Sequence, residues 1–350
     1  MKTLRTTLLI VAVLGLNVLC LWAPDSVEAQ TSATKVYRGA IGNRHVQMRL
    51  NFNGKAVTGT YSYDDFGQDL KLTGQLDDQN RLELKESAAK GTQSGKIVCK
   101  RQLDDLLDSE CTWSRADGTR ESYMTLAEQH IAFTNGLQVV PKTLNNRKTG
   151  VGVSYPQLTG NPSLSAATQN FNQRVLELVR KAIGEFAPID EGKGSFDTNY
   201  NVLLGSNDLV SIEMVENSDG GGAHPNNRFW SITYDLAANK ELQFEDLFKP
   251  GSNYQEAIAK YVTADIDKRA DALEAEEARR EKRQPKPRDS SLVSEEQLSE
   301  LSGWVMTPKG LMVYFDFPHV MAFFDKNFVP YSVISEHLKP NGAAARFQKS

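Results

Sequence analysis

The segment best equipped for chemistry is residues 219–226, which read Asp-Gly-Gly-Gly-Ala-His-Pro-Asn. Its three glycines allow the backbone to approach a ligand closely, and His224 is able to act as a ligand or a proton donor. The alternative is a tight loop between two strands whose histidine bonds to the backbone, and this structural role is favoured. A phosphate cradle is excluded because no Lys-Ser/Thr pair and no helix follows. The candidate binding residues in this loop are Gly221, Gly222, His224 and Asn226.

No recognisable metal or nucleophile motif accompanies this loop. The pattern G-x-S-x-G is missing from the sequence, as are H-E-x-x-H and the Walker pattern. His224 has no second histidine at a useful spacing, because the five histidines are scattered along the chain: His45, His130, His224, His319 and His337. We therefore expect no metal, no cofactor and no assigned catalytic residue. Acidic residues are abundant, so a carboxylate pair for sugar hydrolysis stays open until their separation in space is known.

An aromatic-rich stretch near the end of the chain supplies one more candidate. It contains Phe317, Phe323, Phe324, Phe328 and Tyr331. Most of these side chains are expected in the core, whereas residues 321–324 are a candidate exposed binding edge. Tyr331 joins the candidate binding residues.

Residues 1–29 predict a signal peptide. Lys2 and Arg5 precede an apolar run of 15 residues from Leu8 to Trp22, and small residues then place cleavage between Ala29 and Gln30. A membrane anchor is the alternative, but a spanning helix needs about 20 apolar residues. A lipid anchor at Cys20 is disfavoured because Leu19 precedes it. The expected location is periplasmic or secreted, with no membrane span after cleavage.

Removal of the signal peptide leaves two cysteines, Cys99 and Cys111. An even number of cysteines in an oxidising compartment predicts a disulfide. Their spacing suits two adjacent antiparallel strands. A metal-binding or redox pair is the alternative, but the sequence has no C-x-x-C motif and no nearby histidine.

Residues 30–130 predict a β-meander domain. Val46 to Phe52 alternates apolar and polar residues, which places one set of side chains on one face of a sheet. Asn53-Gly54 then signals a hairpin. About eight short strands follow one another, a pattern that favours a small barrel. Such a barrel is filled by side chains or holds one small ligand, and a filled barrel is favoured. The polar residues 131–150 are expected to be a linker.

Residues 151–340 predict an α+β domain. The expected elements are a strand closed by Pro156, a helix capped by Ser163, strands at 202–204, 209–215 and 229–236, a second helix from Tyr254, a central strand at 311–317 and a strand at 329–334. Residues 274–292 are expected to be a solvated helix tail and a flexible, charged insertion. The fold class predicted for the whole chain is therefore α+β, with the barrel first.

Length and charge limit the class of protein. The 350 residues allow about two domains. The formal net charge is −4, so the chain as a whole is not expected to bind polyanions, and no nucleic-acid partner is expected.

The second domain resembles the extracytoplasmic domain of RsiV-type anti-sigma factors, which is shared with PdaC-type peptidoglycan deacetylases. The resemblance is carried, in order, by residues 153–158, Asn170 and Asn172, residues 221–225, 234–236 and 246–248, Trp304, residues 310–315 and 329–332. It implies binding outside the cytoplasm, because RsiV-type proteins use this domain to sense lysozyme. This chain departs from those proteins, since it has no internal membrane span, no sigma-binding segment and no recognisable deacetylase domain.

The expected function is non-catalytic binding at the cell envelope. The ligand implied is lysozyme or another cationic protein, or a peptidoglycan fragment. The alternative is an envelope hydrolase that uses carboxylates or His224. A third possibility is a scaffold that only docks other envelope proteins.

Overall fold

The chain folds into a barrel, a large sheet and a small sheet. The structure, a computed structural model, describes residues 32–88, 91–104, 108–146, 148–160, 165–186, 194–294 and 296–347. The predicted signal segment, with Cys20 and the bond between Ala29 and Gln30, lies outside these ranges, and so does Ser163. Within them, no helix has both the length and the apolar character needed to cross a bilayer.

Eight antiparallel strands close into a barrel near the N-terminus. They are β1 (Ser32–Ile41), β2 (Arg44–Asn53), β3 (Ala56–Tyr63), β4 (Leu70–Leu76), β5 (Arg81–Ser87), β6 (Gln93–Gln102), β7 (Ser109–Arg115) and β8 (Glu121–Gln129). Each strand pairs with the next, and pairing of β1 with β8 closes the ring. The predicted meander of about eight strands is confirmed.

Side chains fill the interior of the barrel. Val46, Met48 and Leu50 of β2 are fully buried, and so are Leu82 and Leu84 of β5. Glu86 follows the same alternation on β5 and is also buried. Three side chains donate hydrogen bonds to its carboxyl group: the Tyr61 and Ser94 hydroxyls and Trp113 Nε1. A packed interior with one satisfied carboxyl group is what the filled-barrel interpretation predicts.

A disulfide joins β6 to β7. Cys99 and Cys111 lie directly opposite each other in the ladder and are bonded. Both side chains are buried in the barrel core. The predicted disulfide is confirmed.

The large sheet is built from six strands with one helix across a face. The strands are β9 (Gln138–Asn146), β10 (Val151–Thr159), β11 (Ser195–Gly205), β12 (Leu209–Asp219), β13 (Asn226–Asp235) and β14 (Lys240–Glu241), in the spatial order 14-13-12-11-10-9. The helix, α1 (Ala166–Glu185), buries Phe171, Val175 and Val179 against the sheet, as its apolar spacing predicts. Its N-cap is Ser165, whose side chain accepts from Thr168 N.

The expected linker, residues 131–150, contains a strand. The strand β9 forms the outer edge of the large sheet and pairs with β10 along its whole length. It escaped prediction because an edge strand that is mostly solvated carries little apolar alternation. Pro156 lies within β10 rather than closing it. The strand tolerates a proline there because β11 pairs only with residues 151–153, so no ladder with β11 is interrupted at Pro156. The division into two domains stays a prediction.

A three-stranded sheet packs on the face of the large sheet opposite α1. It contains β15 (Gly303–Met306), β16 (Gly310–Tyr314) and β17 (Lys326–Pro330), with β16 in the centre as predicted. Backbone N–H groups of Trp304 and Met306 donate to the Ser231 and Ser211 hydroxyls of the large sheet. The strand expected at 329–334 is wrong in its second half. Proline cannot extend a ladder, so the chain turns at Pro330 into a short helix, α3 (Tyr331–Ile334).

The second helix is longer than its apolar pattern indicates, and the insertion after it is anchored. The helix α2 (Tyr254–Glu281) ends where Lys282 adopts a left-handed conformation. The chain then runs back along α2, where Arg283 pairs with Glu274 and Arg288 pairs with Asp271 at 2.7 Å. The segment expected to be flexible is therefore fixed by ion pairs, which hydropathy does not reveal.

Two buried polar clusters join the barrel to the sheets. In the first, Arg38 of β1 is 1 % exposed and donates to Asp64, to the Asn199 side chain and to the Tyr200 carbonyl. In the second, the buried Glu213 of β12 accepts from three side chains: Lys326 Nζ, the Tyr314 hydroxyl and Asn201 Nδ2. Lys326 also lies 3.8 Å from Asp108 of the barrel.

Candidate functional site

The glycine-rich segment is the loop of the β12–β13 hairpin. Gly221 has a φ of 84°, which glycine adopts at no steric cost. Its N–H donates to Asp219 Oδ1 at 2.8 Å, so the loop is closed by its own aspartate. Gly221, Gly222 and His224 are exposed on this loop.

His224 stacks on a second histidine. The ring of His319 lies 3.7 Å from that of His224, with an angle of 10° between their planes. His319 belongs to a 3₁₀ helix, His319–Phe324, in the connection between β16 and β17. The His224 Nδ1 atom lies 3.2 Å from the Pro225 carbonyl oxygen, which agrees with the favoured structural role. The structure thus pairs two histidines that lie 95 positions apart in sequence.

The described residues do not add further metal ligands to the histidine pair. Across the described ranges, no three His, Cys, Asp or Glu side chains are grouped so that they could hold a metal ion. The two rings lie in nearly parallel planes, and His224 Nδ1 faces the Pro225 carbonyl oxygen. The pair therefore connects the hairpin loop to the 3₁₀ helix.

A cleft of about 360 Å³ borders the loop. Its lining combines three carboxylates, one guanidinium, two side-chain amides and two phenyl rings: Glu185, Glu216, Asp316, Arg228, Asn226, Asn227, Phe186 and Phe196. The cleft exists because α1 ends at Glu185, before it covers the full length of β12 and β13. Among the described residues, the end of α1 thus leaves Glu216 and Arg228 at the lining of the cleft.

Glu216 is a buried carboxyl group of the cleft. It continues the apolar face of β12 that includes Ile212 and Met214, and it is 5 % exposed. Burial raises the pKa of its carboxyl group above the ordinary value, and the nearby Glu185 charge adds to the rise. Arg228, its cross-strand partner, opposes the shift. A cleft with three carboxylates and one guanidinium favours a cationic group of a ligand.

Apolar side chains are exposed beside the acidic cleft. Val320 is 91 % exposed and Phe323 is 67 % exposed. Both belong to the 3₁₀ helix whose His319 stacks on the loop. The predicted exposed edge, residues 321–324, is exposed only in part: Phe323 faces solvent, whereas Phe324 is buried.

The predicted site residues are only partly brought together. Asn226 lines the cleft, and Gly221, Gly222 and His224 form its exposed loop. Tyr331 is 5 % exposed in the core around α2 and donates to the Thr307 carbonyl, so it does not belong to this surface. Sequence reasoning missed four charged residues of the cleft: Glu185, Glu216, Arg228 and Asp316. Glu216 could have been found from the sequence, because it continues the apolar alternation of β12. Asp316 could not, because only the tertiary structure brings it to the cleft.

A second cleft, of about 240 Å³, lies near the start of α2. The rings of Phe244 and Trp304 lie 5.4 Å apart there. Leu298 and Ile258 are apolar lining residues, and polar groups of Gln243, Glu245 and Gln255 also line it. Aromatic and aliphatic side chains combined with polar groups are the kind of lining found in small-ligand sites.

Two solved structures resemble part of the chain. The crystal structure of a DUF3298 family protein from Pseudomonas aeruginosa PAO1 is 19 % identical, with a TM-score of 0.37. The match covers 59 % of this chain and 94 % of that one. The crystal structure of a DUF3298 family member from Bacteroides fragilis NCTC 9343 is 10 % identical, with a TM-score of 0.38. That match covers 62 % of this chain and 99 % of the other.

A family match is confined to the C-terminal part of the sequence. No curated protein matches the chain significantly. Residues 245–325 match the family described as "Protein of unknown function (DUF3298)". This range includes α2 and the 3₁₀ helix His319–Phe324. The link to RsiV-type proteins stays a prediction. The chain therefore contains a DUF3298 domain at residues 245–325, within the predicted second domain.

Proposed function

We propose that this protein is a non-catalytic binding protein of the cell envelope whose partner is a cationic protein. The observation that carries the proposal is the acidic cleft lined by Glu185, Glu216 and Asp316, together with the exposed side chains of Val320 and Phe323 on the 3₁₀ helix that contacts the neighbouring loop. Exposed apolar side chains beside a charged rim are typical of protein-docking surfaces. The resemblance to a lysozyme-sensing domain supports lysozyme as the first partner to test.

Charge and apolar contact have separate roles in this surface. The carboxylates of the cleft attract a cationic partner and orient it, an effect that salt weakens. Phe323 supplies an exposed aromatic anchor of the kind that contributes most to binding energy. Binding of lysozyme is therefore expected to weaken both with added salt and with loss of the ring.

The test is a calorimetric titration of the chain from Gln30 onward with lysozyme at about 0.15 M salt. The double variant Glu185→Gln/Asp316→Asn is expected to raise the Kd roughly tenfold, since it removes two cleft carboxylates. The variant Phe323→Ser is expected to weaken binding by a similar factor.

A matched control removes two carboxylates elsewhere. Asp78 and Glu110 are exposed on the barrel, where they pair with lysines. The variant Asp78→Asn/Glu110→Gln carries the same change in net charge and is expected to keep the wild-type Kd. No binding at high micromolar lysozyme, or equal weakening in both double variants, would disprove the proposal.

The second cleft favours a peptidoglycan fragment as a further ligand of the same protein. The faces of Phe244 and Trp304 are suited to sugar rings, while Gln243 and Gln255 can bond to hydroxyl or amide groups. Muropeptides should therefore be titrated in parallel. Binding that is lost in Trp304→Ala but kept in Glu185→Gln/Asp316→Asn would place the fragment in the second cleft.

An envelope hydrolase remains the alternative function, and one observation favours it. Glu216 is a buried carboxyl group with a raised pKa at the edge of a cleft, an arrangement suited to a general acid. Peptidoglycan turnover that disappears in Glu216→Gln would replace the binding proposal. His224 has less support for this role, because its hydrogen bond is to a backbone carbonyl.

A further inference from the structure

The outer wall of the barrel carries two adjoining grooves. One, of about 470 Å³, is lined by residues of β2, β3 and β4, and the other, of about 370 Å³, by residues of β4, β5 and β6. Thr73 lines both grooves, so they form one continuous depression across five strands. We name this depression the barrel groove.

Two glycines lie where neighbouring strands of the groove wall approach each other closely. A Cβ atom on Gly59 would lie 2.1 Å from the Arg49 carbonyl oxygen, and one on Gly74 would lie 2.0 Å from that of Glu83. Neighbouring strands therefore approach more closely than any side chain at these positions would allow. Both glycines line the barrel groove.

Four exposed cations line the barrel groove: Arg49, Lys71, Lys85 and Lys96. The strand register places Lys85 opposite Lys96, and it aligns Arg49 and Lys71 on either side of Thr60. None of the four forms a salt bridge with a described residue, although most other barrel lysines and arginines do. Glu83 is the one acidic residue among the lining residues. The groove is thus strongly positive within a chain of net charge −4.

Hydroxyl and amide groups alternate with these cations. Thr58, Thr60 and Thr73 lie along the groove together with Asn51 and Gln75. These groups can form hydrogen bonds with the hydroxyl groups of a sugar chain. Inorganic polyphosphate has no such hydroxyl groups. Aromatic side chains, on which the bases of single-stranded nucleic acids stack, are not among the residues that line the groove.

We propose that the barrel groove binds a linear acidic polysaccharide. The four cations neutralise the carboxylates of successive sugars, and the threonines bond to the hydroxyls between them. The site is separate from the acidic cleft and does not depend on the function proposed above. If it is confirmed, the expectation drawn from net charge, that this chain does not bind polyanions, will not hold for the barrel groove.

The test uses polygalacturonate oligosaccharides labelled with a fluorophore and follows their anisotropy as the chain from Gln30 onward is added. The wild type is expected to bind them, and neutral dextran of equal length is expected not to bind. The variant Lys71→Gln/Lys85→Gln/Lys96→Gln is expected to weaken binding roughly tenfold or more and to flatten the dependence of log K on log salt. Unchanged thermal unfolding of the variant shows that any loss is local.

The matched control removes three lysines of the same barrel that already have carboxylate partners: Lys35, Lys55 and Lys100. It has the same net charge as the groove variant and is expected to bind like the wild type. The proposal is overturned if both variants lose affinity equally, if dextran binds as well as polygalacturonate, or if single-stranded DNA of equal charge binds as tightly.

Discussion

At the scale of single residues, Asp325 controls the segment that presents the candidate docking surface. Its carboxyl group is 5 % exposed and accepts the Phe317 N–H at 3.0 Å, while its carbonyl accepts the Phe315 N–H. The segment held in this way carries Asp316, Val320 and Phe323. Burial raises the pKa of Asp325 to about 6, and the neighbouring Asp316 adds to the rise against the effect of the Phe317 N–H.

This raised pKa predicts how stability depends on pH. A carboxyl group whose pKa is higher in the folded state than in the unfolded state destabilises the fold once it is ionised. The cost is fully present above pH 6 and disappears as the pH falls toward the ordinary aspartate value. Asp325→Asn keeps an oxygen acceptor for Phe317 and removes the charge. We expect its Tm to exceed that of the wild type at pH 7.5, and the difference to vanish near pH 4.

Differential scanning fluorimetry between pH 4 and pH 8 measures this difference. Asp289 is an exposed aspartate outside this segment, so Asp289→Asn is a suitable control and should show no such pH-dependent gain. A Tm for Asp325→Asn at or below that of the wild type at pH 7.5 would contradict the assignment.

Single residues also show what the sequence could reveal of the site. The loop with His224 stood out because three glycines and a histidine are unusual between strands, and its position in a hairpin is as expected. Tyr331 was selected from an aromatic run, and its side chain is in the core. Glu216 was detectable from the alternation of β12. Asp316 and His319 were not, because they reach the loop only through the packing of the small sheet on the large one.

At the scale of elements, the hairpin of β6 and β7 is held by the bond between Cys99 and Cys111. The two cysteines are 12 positions apart, and in the loop-entropy account a bridge of this span stabilises the folded state by roughly 3 kcal/mol. Cys99→Ala/Cys111→Ala is expected to lower the free energy of unfolding by about that amount. Chemical denaturation with and without a reducing agent measures it.

The reducing agent provides an internal control for the hairpin. It should lower the denaturation midpoint of the wild type toward that of the double alanine variant, and it should not affect the variant itself. A wild-type midpoint that is insensitive to complete reduction would show that the bridge does not stabilise the barrel.

Elements differ in how well their patterns predict them. The barrel strands and α1 were predictable because each buries one regular face, so the period of the apolar residues is visible in the sequence. The edge strand β9 was not, since neither of its faces is fully covered. The length of α2 was not predictable either. Its second half is fixed by ion pairs, such as that of Arg288 with Asp271, rather than by an apolar stripe.

At the scale of the whole molecule, the barrel is joined to the large sheet through buried polar contacts. Arg38 and Asp64 belong to the barrel, whereas Ser154 and Asn199 belong to the sheet. The Ser154 hydroxyl donates to Asp64 Oδ2 at 2.6 Å, and Arg38 donates to the Asn199 side chain at 2.8 Å. Burial opposes ionisation of Asp64, but the Arg38 charge and the hydrogen bonds from Arg38 and Ser154 hold its pKa below the ordinary value.

Arg38→Met tests whether this junction makes barrel and sheet unfold together. The substitution leaves the buried Asp64 carboxylate without its guanidinium partner, a loss that costs about 3–5 kcal/mol for buried pairs. We expect the variant to unfold in two calorimetric steps, since it disrupts one of the two buried polar clusters that couple barrel to sheet, and Arg38→Met/Asp64→Asn to recover part of the stability. Arg49→Met, at an exposed position of the same barrel, should stay within about 0.5 kcal/mol of the wild type. A loss below about 1 kcal/mol in Arg38→Met would show that other contacts, such as those of Glu213, hold the two parts together.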